Sequence, residues 1–181
     1  RFIIWGQATQ QASLLNWINP AISATLSGAI SHVPYRGLKP DGMTGYANIG
    51  NENTLSPYVL DDLSYGTYWI DNLRHEEWYG MGVSSAGQYM IPAIKSVPTQ
   101  AKSRISNGTN IASTGIATSV GLFTNVRSGL NAAATYKNGV LNGTSGSART
   151  VAISANPMTV GKASAFFCGT PFGFSYVGSS S

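Results

Sequence analysis

The sequence predicts an all-β fold, in which two antiparallel sheets pack as a jelly-roll sandwich with little helix. Two observations carry this prediction: 10% of the 181 residues are charged, and short extended segments alternate with glycine-rich turns. Charged residues make up about 25% of an average globular domain, and long surface helices depend on them. Because the outer faces of sheets can be built from Ser, Thr and Asn instead, this composition favours strands.

Roughly ten to twelve short strand segments follow one another at spacings of about 8–15 residues. Asn138-Gly139 separates two of them, 132–136 and 140–142, and Asn-Gly accepts the positive φ angles of a type I′ hairpin turn. Asn107-Gly108 predicts a second hairpin of the same kind. A series of strands without intervening helices indicates antiparallel sheets in a sandwich or barrel.

The cluster of charged residues at 71–77 is interpreted as a solvated loop. The strands predicted on either side of it, 65–70 and 78–84, are expected to pair as a hairpin. Alternation along the predicted strands assigns one face of each to the space between the sheets. The residues expected in the core are Leu122, Val126, Ala134, Tyr136, Val151, Ile153, Met158, Val160, Phe172, Phe174 and Tyr176.

The length of the chain predicts one domain over 1–181, with 1–34 as a less regular segment. The sequence begins without Met and ends abruptly in a Gly-Ser stretch, so we expect a piece of a longer polypeptide. Cys168 is the only cysteine, which excludes an intrachain disulfide. Its apolar neighbours predict a buried thiol that packs as a small hydrophobic residue.

The basic residues argue against nucleic-acid binding, although the net charge is +4. They are scattered singly from Arg1 to Lys162, whereas a nucleic-acid footprint requires clustered Lys and Arg. The sequence also contains no run of about 18 apolar residues, so we expect no membrane span. Neither nucleic acid nor a spanned membrane is therefore a predicted partner.

The acidic residues predict no catalytic site. Glucanases with this kind of fold carry carboxylates in the spacing E-x-D-x-x-E, which points them to one side of a strand. None of the acidic residues falls in that pattern, and Glu76 and Glu77 would face opposite ways on a strand. His75-Glu76 begins like the zinc motif H-E-x-x-H, but Tyr79 replaces the second histidine. We therefore predict a protein that is not an enzyme and has no metal site.

Calcium is the one cofactor for which the sequence offers candidate ligands. Asp61, Asp62 and Asp71 carry the hard oxygen atoms that Ca²⁺ prefers. The alternative interpretation is an acidic loop exposed to solvent. The pattern favours the solvated loop, so no cofactor is predicted.

Six sequence motifs follow one another in an order that a known family shares. In chain order they are Asn16–Gly28, like N-W-x-x-P…A-T-L-x-G; Arg36–Gly50, like RGF-x-GDG-x-T-x-Y-x-D-T-G; Gly121–Gly129, like GLF-x-x-x-R-x-G; Tyr136–Val140, like Y-x-N-G; Pro157–Gly161, like P-x-x-V-G; and Phe172–Gly178, like x-x-A-F-x-G. In this order of motifs the chain resembles the concanavalin-like, laminin-G-type jelly-roll domains of bacteriophage virion proteins. Asn48 stands where family members often carry Asp, which argues against an inherited metal or ligand site.

This resemblance implies a concanavalin-like sandwich with a non-enzymatic structural or adhesion role in a bacteriophage. It leaves tail fibre, head fibre and capsid decoration open as positions. The expected location is the virion surface. The expected partners are other virion proteins, further copies of the chain in a homo-oligomer or assembly, and a host-surface glycan.

A lectin-like, carbohydrate-binding module that is not tied to a virion is the alternative. Aromatic residues lie on both sides of the charged loop, and aromatic rings bind sugars by stacking. The predicted carbohydrate-binding residues are Trp69, Trp78 and Tyr79. Because consecutive aromatic residues on a strand face opposite sides, at least half of these rings are expected in the core.

Overall fold

Two antiparallel β-sheets packed face to face form the structure, as the composition and turn pattern predicted. The computed structural model describes residues 1–50, 61–72, 80–83, 89–91, 99–104, 111–148, 157–163 and 166–180. The helix within these ranges is α1 (Gln10–Ser13), a single turn capped by the Thr9 side chain. No helix in these ranges is long and apolar enough to cross a membrane.

The first sheet contains eight strands in the described part of the chain. They are β1 (Phe2–Ile4), β3 (Ile30–Val33), β4 (Gly37–Pro40), β6 (Leu63–Trp69), β11 (Gly121–Gly129), β12 (Ala132–Lys137), β13 (Val140–Ser145) and β17 (Phe172–Gly178). Their order is β13-β12-β11-β6-β17-β4-β3, and β1 pairs beside β17. The hairpin of β3 and β4 therefore forms one edge of this sheet, and β13 forms the other.

The second sheet contains seven described strands. They are β2 (Thr25–Ser27), β5 (Tyr46–Gly50), β7 (Met81–Val83), β8 (Tyr89–Ile91), β9 (Thr99–Arg104), β10 (Ile111–Ile116) and β14 (Met158–Val160). Their order is β10-β9-β8-β7-β14-β5-β2, and the short strands β15 (Lys162–Ala163) and β16 (Phe166–Phe167) pair with each other. Each sheet therefore combines a run of strands that are consecutive in sequence, β11 to β13 in the first sheet and β7 to β10 in the second, with neighbours that are distant in sequence.

The predicted Asn-Gly hairpin between β12 and β13 is confirmed. Asn138 and Gly139 have φ angles of 51° and 79°, the positive values that a type I′ turn requires. The Asn138 side chain also accepts a hydrogen bond of 2.8 Å from the backbone N–H of Leu122, which ties the turn to β11. The second predicted turn, at Asn107-Gly108, lies outside the described residues.

The hairpin predicted across the charged loop is wrong, because β6 and β7 belong to different sheets. They face each other across the sandwich: the Thr67 hydroxyl of β6 donates to the Met81 sulfur of β7 over 2.8 Å. The sequence places two extended segments on either side of the loop, and this pattern does not distinguish a hairpin from a crossover between sheets.

Burial along β11 shows which face of the first sheet forms the core. Phe123, Asn125 and Arg127 are buried, whereas Leu122 and Val126 are half-buried on the outer face. The predicted alternation is therefore wrong by one residue in this strand. It is wrong in the same way for Ala134, Tyr136, Phe174 and Tyr176, all half-buried. Met158, Val160 and Phe172 are buried as predicted, and Val151 and Ile153 lie outside the described residues.

The inner face carries polar residues because they find partners there. The Asn125 amide donates to the Tyr65 hydroxyl over 3.0 Å, and the Arg127 guanidinium donates to the Leu130 carbonyl over 2.8 Å. Buried polar groups are tolerated when they are hydrogen-bonded. Leu122 and Val126 on the outer face of β11 are also apolar. Hydrophobicity alone therefore could not show which set of alternate residues faces the core.

The segment 1–34, predicted as less regular, contributes three strands to the two sheets, β1, β2 and β3, and a large side chain to the core. β1 pairs antiparallel with β17, and Trp5 is fully buried against the edge of the Phe172 ring, with centroids 5.4 Å apart. Cys168 is buried as predicted. The first residues of the chain are therefore an integral part of the sandwich.

Candidate ligand cleft at the β3–β4 hairpin

Among the described residues, the aromatic side chains predicted to bind sugar do not form an exposed platform. Trp69 is fully buried and meets Phe172 edge-on, with ring centroids 6.0 Å apart. Its ring is a core element and cannot stack on a ligand at the surface, which corrects its assignment as a binding residue. Trp78 and Tyr79 lie outside the described residues, so their assignment stays a prediction.

A surface cleft lies instead beside the edge hairpin formed by β3 and β4. Its volume is about 430 Å³, which is within the range of small-ligand sites. The side chains and backbone that line it come from the hairpin, the end of β6 and the residue before β17: Val33, Arg36, Gly37, Lys39, Ile70, Asp71 and Pro171. We call this feature the hairpin cleft.

Gly37 allows the walls of the hairpin cleft to approach one another. Its φ angle is 142°, a conformation that side chains rarely adopt. A Cβ atom at this position would lie 2.1 Å from the Phe172 carbonyl oxygen and 3.0 Å from the Ile70 side chain. The glycine is therefore required for β4 to pair with β17 and for Ile70 to form the apolar wall.

The wall of the cleft that faces the hairpin contains Ile70 and Asp71. Hydrogen bonds of the loop after β6 hold this wall in place. The Asn72 side chain accepts from the Thr118 hydroxyl over 2.7 Å and from the Ser119 backbone N–H over 2.8 Å. Asp71 precedes it, exposed, and accepts from the backbone N–H of Asn72 over 2.7 Å. Ile70 is fixed in turn by a 3.0 Å backbone bond to the Pro171 carbonyl. The acidic side of the cleft is thus positioned by the hydrogen bonds of the Asn72 and Asp71 side chains and by the backbone bond of Ile70.

Tyr35 lies at the turn of the hairpin, directly before the cleft residue Arg36. It adopts a φ angle of 60°, which costs a residue other than glycine roughly 1 kcal/mol. Tyr35 is 79% exposed, so burial of its side chain does not compensate for this conformation. Strained backbone that is held in place by its surroundings often marks a functional position, and here it occurs directly before Arg36, which lines the cleft.

The exposed cations of the described structure converge on this cleft. Side-chain burial is described for six of the eleven basic residues: Arg1, Arg36, Lys39, Arg127, Lys137 and Lys162. Arg36 and Lys39 are exposed, and the other four are buried or half-buried. Lys137 donates to the Thr118 carbonyl, and burial lowers the pKa of its ammonium group. Lys162 lies over the Tyr46 ring, 4.5 Å from its centroid.

One serine–histidine pair in the structure is structural. The Ser13 hydroxyl lies 3.1 Å from Nε2 of His32, but it donates to the Thr9 carbonyl over 3.0 Å. Nε2 is also 3.1 Å from the Gln7 carbonyl, which can only accept. Because Nε2 must therefore carry the proton, it cannot take one from Ser13. His32 ties β3 to the N-terminal segment.

Two of the described carboxylates hold the chain through hydrogen bonds. Asp41 accepts from the backbone N–H groups of Met43, Thr44 and Gly45 over 3.0, 2.8 and 2.7 Å. These bonds, the strongest contribution coming from Thr44, hold the pKa of the Asp41 carboxyl well below its usual range. Asp62, proposed above among calcium ligands, accepts from the Ser179 hydroxyl over 2.6 Å.

In the sequence analysis, Ile70 falls in a predicted strand and Asp71 in the charged loop, and a site at Arg36 to Lys39 is not recognised. An aromatic residue followed by two cations within five positions, Tyr35 to Lys39, is the signal that the sequence contains. Ile70, Asp71 and Pro171 join these residues only because β4 pairs with β17 and β17 pairs with β6.

Comparison with known proteins supports the fold and assigns no family. No protein-family model matches the sequence, and no curated protein matches it. Among solved structures, the chain superposes on the receptor binding domain of botulinum neurotoxin C/D mosaic serotype with a TM-score of 0.51 and 11% identity. It superposes on a structure described as a mutant of HCR/D with a TM-score of 0.50 and 9% identity.

These superpositions cover 98% of this chain and 46% of each neighbour, so the chain spans less than half of their length. At such low identity they show the fold alone. The β-sandwich part of the expected resemblance is confirmed, and membership in the bacteriophage family stays a prediction.

Proposed function

We propose that this chain is a non-catalytic adhesion domain that binds a surface carbohydrate in the hairpin cleft. The observation that carries the proposal is the composition of the cleft, in which the apolar side chains of Val33 and Ile70 lie beside the charged side chains of Arg36, Lys39 and Asp71. Tyr35, the residue before Arg36 in the turn, is exposed. Sugars present apolar ring faces and many hydroxyl groups, and they bind where such surfaces alternate with polar side chains.

The position of the cleft favours recognition of a large target. It lies on the edge hairpin of the first sheet, where Val33 and Tyr35 are exposed. A ligand on a cell surface can reach an edge hairpin without any opening of the sandwich. The rigid strands behind it keep the binding groups in place, which limits the entropy lost on binding.

The solved neighbours are compatible with this role. A sandwich of the same general type forms part of a domain described as receptor-binding in a botulinum neurotoxin. This supports the use of such a fold in surface recognition, while the ligand and the partner of this chain are argued from its own cleft.

A bacteriophage particle is the proposed setting, on the strength of the motif order from Asn16–Gly28 to Phe172–Gly178. Other virion proteins and further copies of the chain are then its structural partners. A particle-labelling experiment tests this setting: antibodies against the domain should decorate purified virions in electron micrographs. Virions that stay unlabelled, with a domain that binds glycan, would favour the alternative of a carbohydrate-binding module outside a virion.

Binding to an array of bacterial surface polysaccharides tests the proposed activity itself. Val33→Trp would fill the cleft without a change in charge. We expect this variant to lose binding to every glycan on the array that the wild type binds. Val140→Trp is the matched control, because Val140 is also an exposed valine on an edge strand, at the far side of the same sheet. A folded wild-type domain that binds no member of the array, or a Val33→Trp variant that binds like the wild type, contradicts the proposal.

A further inference from the structure

The charge of the hairpin cleft distinguishes it from a site for neutral sugar. Arg36 and Lys39 are exposed and line it together, with Asp71 as the one carboxylate among the described residues that line it. The formal balance of these three groups is one positive charge. An anionic group on a ligand would find an arginine, whose planar guanidinium can hold a carboxylate by two parallel hydrogen bonds.

A second cavity continues the cleft along the hairpin. It has about the same volume, 430 Å³, and its lining residues are Ala29, Ile30, Ser31, Lys39, Pro40 and Asp41. Lys39 lines both cavities, and Asp41 adds a carboxylate to the second, so the charged groups among the described residues around the two cavities sum to zero. The Asp41 carboxylate already accepts from three backbone N–H groups, and the excess of positive charge lies in the hairpin cleft, which contains Arg36. Ser31 pairs with Lys39 and Val33 pairs with Gly37, so the strand register places the two cavities one after the other along the same hairpin.

This arrangement fits an extended ligand better than a single small ion. A chain of sugar rings can lie along the two cavities, with Lys39 at their junction and Arg36 in the hairpin cleft. Val33, Ile70 and Pro171 supply the apolar surface against which the face of a sugar ring packs. Asp71 can accept hydrogen bonds from hydroxyl groups, which an inorganic anion does not offer.

We propose that the two cavities bind an acidic oligosaccharide, in which one uronic-acid carboxylate contacts Arg36 and a second contacts Lys39. This inference rests on the proposed function, since it names the chemical class of the carbohydrate. Asp71 sets the orientation, because it repels the carboxylate and accepts from the hydroxyl groups.

Paired probes that differ only in charge provide the test. Oligogalacturonates and oligoglucuronates are compared with their methyl esters by isothermal titration with the intact chain. We expect the free acids to bind and the esters to bind about tenfold more weakly, since hydrogen bonds between charged groups are the stronger kind. Binding of the acids should weaken further between low and high salt, because exposed charges are screened.

Variants assign the effect to the cleft. Arg36→Gln and Lys39→Gln should each weaken binding of the acids about tenfold and leave binding of the esters unchanged. Thr144→Glu is the control: it lowers the net charge by the same amount on the exposed face of β13, at the opposite edge of the sheet. It should bind like the wild type, which excludes a general effect of net charge.

The outcomes separate this inference from the proposed function. Neutral glycans that bind in a manner blocked by Val33→Trp, with no preference for acids over esters, overturn the acidic ligand and leave the adhesion function standing. Sulfate or phosphate ions that compete fully at the same concentration as the oligosaccharide would show a simple anion site and also overturn it. Absence of binding to acidic and neutral glycans alike removes both proposals.

Discussion

The ring of Tyr176 lies directly over Gly66 on the outer face of the first sheet, so close that a Cβ atom on Gly66 would be 2.6 Å from Cε1 of the tyrosine. The Tyr176 hydroxyl donates to the Thr124 hydroxyl over 3.0 Å and lies 3.1 Å from that of Ser64. A side chain on β17 thus spans β6 and reaches β11. Gly66 is required because the tyrosine ring and the backbone of β11 occupy the space that a side chain would need.

Replacement of Gly66 by alanine should destabilise the sandwich. The new Cβ atom would lie 2.6 Å from the Phe123 carbonyl oxygen, and this backbone atom cannot move without disrupting the pairing of β6 and β11. Overpacking of this kind costs about 1–3 kcal/mol, measured as a shift in the urea midpoint. Gly129→Ala is the control, since its nearest neighbour would be the Ala132 Cβ at 3.7 Å. Equal stability of the two variants contradicts the close approach.

A chain of four buried hydrogen-bonding groups links the N-terminal segment to both sheets. The Trp5 indole donates to the Ser175 hydroxyl over 2.9 Å, and the Ser175 hydroxyl lies 3.0 Å from that of Thr67, which donates to the Met81 sulfur. Because the indole can only donate and Thr67 gives its proton to sulfur, Ser175 must donate to Thr67.

Ser175→Ala should therefore leave the Trp5 indole without an acceptor and Thr67 without a donor. Unpaired buried groups cost about 1–3 kcal/mol, and chemical denaturation should show a loss of that size. Ser31→Ala removes an exposed hydroxyl on β3 that bonds to the Lys39 carbonyl, and its effect should stay within about 0.5 kcal/mol. Comparable losses in the two variants would argue that the buried chain contributes nothing special.

The carboxylate of Asp41 makes the stability of the β4–β5 loop depend on pH. Hydrogen bonds lower its pKa in the folded chain, whereas the unfolded chain titrates near its ordinary value of about 3.9. As the pH falls, the unfolded state therefore binds the proton first, and the stability that Asp41 contributes is lost on the acid side of that value. Above it, the contribution is present in full.

Asp41→Asn removes this titration. We expect the variant to be less stable than the wild type at pH 7, and the difference between them to shrink between about pH 4 and the acid limit of folding. Thermal unfolding of both proteins across this range measures the difference. Stability curves that stay parallel from neutral to acid pH would show that the loop does not depend on the charge.

Local chemistry explains which parts of the fold the sequence could predict. Asn138-Gly139 specifies its turn through its own backbone preferences, and Cys168 lies among apolar neighbours, so both predictions are confirmed. Which face of a strand is buried, by contrast, depends on the other parts of the chain that pack against it. The predicted phase fails in β11 because the inward side chains of Asn125 and Arg127 find partners that adjacent residues do not reveal.

The candidate site was harder to predict for a related reason. Tyr35, Arg36 and Lys39 are close in sequence, but a cleft exists only where Ile70 and Pro171 meet them. That meeting depends on pairing between strands that lie more than a hundred residues apart in sequence, β4 and β17. Trp69 illustrates the opposite error, because an aromatic residue on a strand signals a sugar platform and a core element equally well.

Tyr35 offers a test in which stability and binding should change in opposite directions. Asn adopts positive φ more readily than Tyr, so Tyr35→Asn should relieve the strain of the turn and leave the folded domain as stable as the wild type or more stable by up to about 1 kcal/mol. Tyr35 is 79% exposed, so removal of its ring loses little packing. Binding of the glycan that the wild type binds on the array should weaken several-fold, because the aromatic surface next to Arg36 is lost.

Asn138→Gly is the matched control. Among the described residues other than glycine, Tyr35 and Asn138 are the two with a positive φ angle. Asn138 lies in the β12–β13 turn, away from the edge hairpin, and its replacement should leave glycan binding unchanged. Thermal unfolding and glycan titration on the same protein preparations give both readouts. If Tyr35→Asn lowers stability and leaves binding intact, the strained turn serves the fold, and the aromatic ring has no part in the cleft.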